Sequence, residues 1–273
     1  MLVDSDHVIV TENLVVEEIS KEPKRKVLPS CSYNWKAVLA EFISTVSLLF
    51  LGCMTCIPID GLDMNPPLYG TIGFGLIVLI NIQTFGHISG AHMNPAVTFA
   101  AMLCNKMSIA LGFGYILAQC FGAVVGYGIL VGLSSTNMSS VCITQPHVRY
   151  TVYQALGIEI FLTVALVLIN CAAWDPINKD KNESNSIKFG LTVAGLSISG
   201  GPLTGASMNP ARSLGPAVWT NIWTDHWIYW AGPILGSATA AICYKYIWQT
   251  KEVQEPETLT WTGSRCRIEE NIM

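Results

Sequence analysis

Gly90-Ala91-His92-Met93-Asn94-Pro95-Ala96 recurs 115 residues later as Gly205-Ala206-Ser207-Met208-Asn209-Pro210-Ala211, with His92 against Ser207 the single change. Asparagine is a favoured N-cap, and proline suits the first helical position because its missing N–H would lack a helical partner there in any case. Each copy is therefore a helix start. The apolar segments they head, 94–104 and 209–219, are too short to cross a hydrocarbon core that needs about 20 residues. They read as re-entrant half-helices.

Six further apolar stretches reach or approach spanning length: 35–57, 68–86, 109–133, 150–173, 187–201 and 227–248. The fifth is short and glycine-rich, and its assignment leans on the repeat. Glu41 and Glu159 open the first and fourth stretches 118 residues apart, and Tyr115 and Tyr229 stand 114 apart, close to the 115 of the paired motifs. Near-constant offsets indicate duplication into halves of about 35–133 and 150–248. Three crossings per half force the second half to enter upside down. Inverted repeats commonly place a transport site at the midplane, where broken helices of both halves meet. The expected fold is an all-α membrane protein of six transmembrane helices and two re-entrant half-helices. Its channel domain would cover 35–248, with tails at 1–34 and 249–273. Gly122-xxx-Gly126 and Gly232-xxx-Gly236 predict close helix packing within each half.

Composition agrees with a membrane setting. Of the 273 residues, 51% are hydrophobic and 12% charged, about half the charge an average soluble domain carries. The 15 Lys+Arg against 19 Asp+Glu leave a net charge of −4 and no basic footprint, which argues against nucleic acid as a partner. Nine cysteines in this length are too sparse for a disulfide-stapled secreted scaffold. Cys53, Cys56, Cys104, Cys120, Cys171 and Cys243 fall in or beside apolar stretches and read as small packing residues. Residues 1–34 contain no apolar core segment and do not read as a signal peptide. With six crossings both termini share a side, and that side holds 13 of the 15 basic residues, all but Arg149 and Arg212. The positive-inside tendency makes it cytoplasmic. The Asn137 sequon is then extracellular and open to glycosylation, whereas that at Asn182 is not. Trp219, Trp223, Trp227, Trp230 and Trp248 read as interfacial anchors.

Two half-helices meeting nose to nose direct two positive dipole ends at one point in the membrane. Amide N–H groups of Asn94 and Asn209 beside them offer donors to the oxygen of a passing water or alcohol, while a cation meets an unfavourable potential. The arrangement suits a pore for neutral polar solutes. Arg212, three residues past Asn209, sits at a depth where an arginine without a partner is expensive, which gives it a functional reading. Glu41 and Glu159 are acids within spans, and their matched positions suit hydrogen bonding to the re-entrant loops. His87 and His92 lack the neighbouring ligands a metal site would want. Neither cofactor nor metal is implied.

The segments His87-Ile88-Ser89-Gly90-Ala91-His92-Met93-Asn94-Pro95-Ala96-Val97 and Gly205-Ala206-Ser207-Met208-Asn209-Pro210-Ala211-Arg212-Ser213 resemble those of the aquaporin family, and the resemblance covers about 35–248. It implies a tetramer with one pore per subunit in the cell membrane. It also implies an extracellular constriction formed by Phe74, Ser197, Ala206 and Arg212. Water-selective members typically carry histidine where Ser197 stands. A serine there widens the narrowest point while keeping a hydroxyl in the wall. Phe74 would face a triol's carbons and Arg212 its hydroxyls. The expected permeants are therefore water, glycerol and urea. Ser213, Ala217 and Tyr229-Trp230 resemble the water-type members instead. That mixture is similar to the insect entomoglyceroporins. The alternatives are a water-selective channel, a secondary transporter and a junctional protein; no nucleophile–base set suggests an enzyme.

Overall fold

The computed structural model describes residues 34–58, 66–135 and 137–250. The basic residues of both tails (Lys21, Lys24, Arg25, Lys26, Lys251, Arg265 and Arg267) lie outside them. The described chain forms eight α-helices: α1 Asn34–Met54, α2 Pro66–Ser89, α3 Pro95–Leu103, α4 Ile109–Leu133, α5 Val152–Trp174, α6 Asn185–Thr204, α7 Pro210–Thr220 and α8 Ile228–Cys243. Helices α1, α2, α4 and α5 are long and apolar enough to span a membrane on length and hydropathy alone. The fifth span, expected at 187–201, runs the full 20 residues of α6, because Gly200, Gly201 and Pro202 continue the helix to a left-handed cap at Gly205. The last span is α-helical to Cys243 and continues as a π-turn over Tyr244–Trp248.

Helices α3 and α7 are the two half-helices. Asn94 Oδ1 accepts from Ala96 N at 2.8 Å, and Asn209 Oδ1 from Ala211 N at 3.0 Å, so both asparagines cap as their sequence suggests. Such a cap stabilises a helix by about 1 kcal/mol. Helix α3 ends at Leu103, and two residues on the φ of 56° at Asn105 lets Lys106 N reach back to Ala101 O and close the turn.

The two halves assemble alike. Helix α1 packs on α4, and α5 on α8. A Cβ on Gly122 would lie 2.6 Å from Phe42 O, and one on Gly232 2.8 Å from Glu159 Cβ, so only hydrogen fits at these crossings. Helices α2 and α6 cross where the pseudo-twofold axis passes: a Cβ on Gly190 would sit 2.8 Å from Gly75 O. Gly75 and Gly190 are themselves 115 apart.

Polar and apolar residues are distributed inside out. On α4, Phe113, Leu117, Phe121, Val125, Ile129 and Leu133 form an exposed stripe at a spacing of four. Glu41, Thr45, Asn81, Gln119, Glu159, Thr163 and Ser237 are buried within the bundle. That pattern belongs to a chain whose outer solvent is hydrocarbon, in which polar groups must be satisfied internally.

One expectation is corrected. Cys53 is not a packing residue: it forms a disulfide with Cys142, 89 residues away, tying the end of α1 to the connection between α4 and α5. Cys53 sits in an apolar run and Cys142 in a loop, with no spacing pattern to link them, so nothing local signalled the bridge. Cys56, Cys104, Cys120, Cys171 and Cys243 are free thiols.

Candidate functional site: a pore between two capped half-helices

Each re-entrant loop is shaped by the same backbone sequence. Gly90 and Gly205 adopt φ of 89° and 85°, Ala91 and Ala206 of 48° and 44°, Met93 and Met208 of 51° and 52°. Left-handed conformations cost a non-glycine residue about 1–2 kcal/mol each. The buried acids offset this. Glu41 Oε1 accepts from His92 N at 2.8 Å and Ser89 Oγ at 2.7 Å, and its Oε2 from Met93 N at 2.8 Å. Glu159 Oε1 accepts from Ser207 N at 3.0 Å and Thr204 Oγ1 at 2.6 Å, and its Oε2 from Met208 N at 2.9 Å. Tyr115 and Tyr229 donate their hydroxyls to Ser89 O and Thr204 O, at 3.0 and 2.8 Å. Left-handed backbone, carboxylate, hydroxyl and tyrosine thus repeat about the pseudo-twofold axis.

The halves interlock at the centre. Asn94 Nδ2 donates to Met208 O at 2.8 Å, and Asn209 Nδ2 to Met93 O at 2.7 Å, each reaching into the opposite loop. An amide nitrogen carries two N–H groups. One is spent on this clasp, so each asparagine brings a single donor to the lumen. The symmetry breaks at its edges. Gln119 Nε2 donates to Glu41 Oε2 at 2.8 Å and Thr98 Oγ1 at 2.9 Å, while the position 114 residues on is Pro233. His92 Nδ1 pairs with Thr98 Oγ1 at 3.1 Å where Ser207 pairs with Ser213 at 2.6 Å.

A cavity of about 1350 Å³ runs past this clasp. Helix α2 lines it from Leu68 to His87, roughly 28 Å of helix and close to a hydrocarbon thickness. Asn94 and Asn209 line it as well. Phe74 of α2, Ser197 of α6, Ala206 of the second loop and Arg212 of α7, the four residues expected to form a constriction, all line this cavity. The Arg212 guanidinium carbon stands 5.0 Å from the Phe74 ring centroid, within cation–π range. Its Nη1 donates to Cys142 O at 2.6 Å.

Cys142 O is the partner that sequence reading missed. Residue type carries no information about a backbone carbonyl, and Cys142 is 70 residues from Arg212. The disulfide to Cys53 holds this carbonyl in place. A native bridge typically contributes about 2–4 kcal/mol. Cys53→Ser is therefore expected to lower the melting temperature of the detergent-solubilised protein, and dithiothreitol should reproduce the drop in the wild type. An unchanged melting temperature in both would mean that the loop is held without the bridge.

Known proteins share this architecture. The major intrinsic protein family profile matches residues 29–244. Aquaporin-4 of Mus musculus is 37% identical over 249 residues, 87% of this chain and 77% of that protein. The lens fiber major intrinsic protein of Lithobates pipiens is 38% identical over 214 residues, 78% of this chain and 81% of that protein. The X-ray structure of the aquaglyceroporin from Plasmodium falciparum superposes with a TM-score of 0.69 at 25% identity, covering 78% of this chain and 96% of that one. Members of the family are membrane channels and not enzymes. With the paired capped half-helices and a family match over most of its length, the chain belongs to the major intrinsic protein (aquaporin) family and is a multi-pass membrane channel.

Proposed function

We propose that this channel passes glycerol and urea as well as water, and excludes protons and metal cations. The observation that carries the reading is Ser197. It supplies a small hydroxyl, where an imidazole would be larger, to a cavity wall shared with Phe74, Ala206 and Arg212. Asn94, Pro95, Ala96, Asn209, Pro210 and Ala211 bring the half-helix dipoles and the two amide donors to the centre. Arg212 adds a fixed positive charge on the same path. Together they oppose cations while donating to solute oxygens. A serine at 197 on a scaffold with Ser213, Ala217 and Tyr229-Trp230 supports reading the chain as similar to the insect entomoglyceroporins.

Residues 35–248 act as the channel domain in the cell membrane, as a homotetramer with the tails 1–34 and 249–273 in the cytoplasm. The disulfide supports that orientation. It lies at the face opposite Lys106, Lys179, Lys188 and Lys245, and disulfides persist in oxidising compartments. Asn137 is exposed on the disulfide's side, heading a short turn, and is available for glycosylation.

Swelling of cells expressing the channel tests the reading. Water, glycerol and urea should each enter without saturation or ion dependence. Water flux without glycerol flux would instead make it a water-selective channel, and saturable, ion-coupled uptake would make it a transporter.

A further inference from the structure

The face opposite the disulfide carries a second cysteine pair. Cys104 follows the last residue of half-helix α3, and Cys171 lies one turn before the end of α5. They are 67 residues apart in sequence, yet their Sγ atoms stand 4.0 Å apart, and both are free thiols. Cys104 is half-buried and Cys171 buried, packed against Ala100, Val167, Ala240 and Tyr244 where α3, α5 and α8 meet.

Two ammonium groups flank the pair. Lys245 Nζ donates to Leu103 O at 2.9 Å, adjoining Cys104, and Lys106 Nζ donates to Trp174 O at 2.8 Å, one turn beyond Cys171. These bonds pin both cations beside the sulfurs. The Cys171 thiol hydrogen-bonding to Cys104, helped by Lys245 and Lys106 and opposed by partial burial, draws the Cys104 thiol down to about 7. A thiolate is the form that reacts with oxidants.

We propose that Cys104 and Cys171 are an oxidisable dithiol that a hydroperoxide converts into a second, reversible disulfide, joining half-helix α3 to span α5. In the first step the Cys104 thiolate attacks the terminal peroxide oxygen. The O–O bond breaks, and the departing hydroxide or alkoxide leaves a sulfenic acid on Cys104. In the second step Cys171 sulfur attacks Cys104 sulfur. The S–O bond breaks, and hydroxide leaves with the Cys171 proton as water. Two electrons pass from the sulfurs to the peroxide, and the hydroperoxide is reduced to water and an alcohol (or a second water). The sulfurs must close by about 2 Å to reach bonding distance. Cys104 can supply much of this because it lies just outside the helix, with φ and ψ of −81° and 5°.

The bond would act close to the pore. Trp174, one turn past Cys171, lines the cavity, and its ring centroid lies 5.9 Å from that of His92 in the first re-entrant loop.

The test is peptide mapping by mass spectrometry of the full-length protein in membranes, before and after hydrogen peroxide, with and without dithiothreitol. A Cys104–Cys171 cross-link, lighter by two hydrogens than the separate peptides, should appear with peroxide and vanish with dithiothreitol. Cys171→Ser should leave Cys104 as a sulfenic acid that dimedone traps. Cys104→Ser should leave Cys171 unoxidised. Free thiols at both positions after peroxide, a bridge to Cys120 or Cys243 instead, or separate oxidation of each sulfur without a cross-link would overturn the proposal. The wild-type mapping decides even if a variant fails to fold.

Discussion

Glu159→Ala is expected to destabilise the channel by roughly 2–6 kcal/mol, since it strands two buried amides at about 1–3 kcal/mol each. The amides of Ser207 and Met208 have this carboxylate as their partner, and the Thr204 hydroxyl donates to it as well. The second loop would lose the bonds that hold Ala206 and Met208 in left-handed conformations. Asn209 would then no longer be presented to Met93 O. The measurable outcome is a large fall in the melting temperature in detergent, with water flux lost in proportion. Glu159→Gln should be milder. Its amide oxygen can keep Ser207 N and Thr204, while its NH2 faces Met208 N–H, donor against donor. An alanine variant that melts with the wild type would show that the carboxylate does not brace the loop.

Ser197→His should suppress glycerol flux about 5- to 150-fold while leaving water flux largely intact. The estimate takes an imidazole at residue 197 to crowd a passing triol by about 1–3 kcal/mol, with tenfold in rate for each 1.4 kcal/mol of barrier. Ser197 is nearly buried and shares its cavity wall with Phe74 and Arg212. An imidazole there must occupy space that a triol's carbons would use. Water, with a single heavy atom, needs less. Stopped-flow swelling of vesicles in glycerol and in impermeant osmolyte separates the two fluxes. Equal glycerol permeability in the variant and the wild type would place the width limit elsewhere than residue 197.

Much of this architecture was legible because the chain carries its own internal comparison. Asn94-Pro95 and Asn209-Pro210 are helix starts by local chemistry, a capping side chain followed by a residue that needs no N–H partner. Near-constant offsets of 118 and 114 residues, close to the 115 of the paired motifs, singled out Glu41 with Glu159 and Tyr115 with Tyr229 as matched pairs, and the structure sets each pair to corresponding partners. Hydropathy located the spans because a lipid-facing helix records its solvent in consecutive residues. The end of α6 was the weak point, since its glycines and Pro202 resemble a loop until tertiary packing keeps them helical.

Contacts between residues of ordinary type, distant in sequence, were not legible. Ser89 and Thr204 look like unremarkable small polar residues, yet they complete the carboxylate cradles. Gln119 braces one half alone, so the repeat could not reveal it. Cys142 supplies a backbone carbonyl to Arg212 and half of a disulfide, and neither role leaves a local pattern. The approach of Cys104 to Cys171 is likewise a meeting of three helices. Helix starts, spans and the inverted duplication are properties of neighbouring residues and repeated order, so a linear reading recovers them. The clasp between Asn94 and Met208, the support of Arg212 and the pairing of thiols depend on which atoms the folded bundle brings within hydrogen-bonding or bonding reach. Those distances exist only once α1 to α8 have packed.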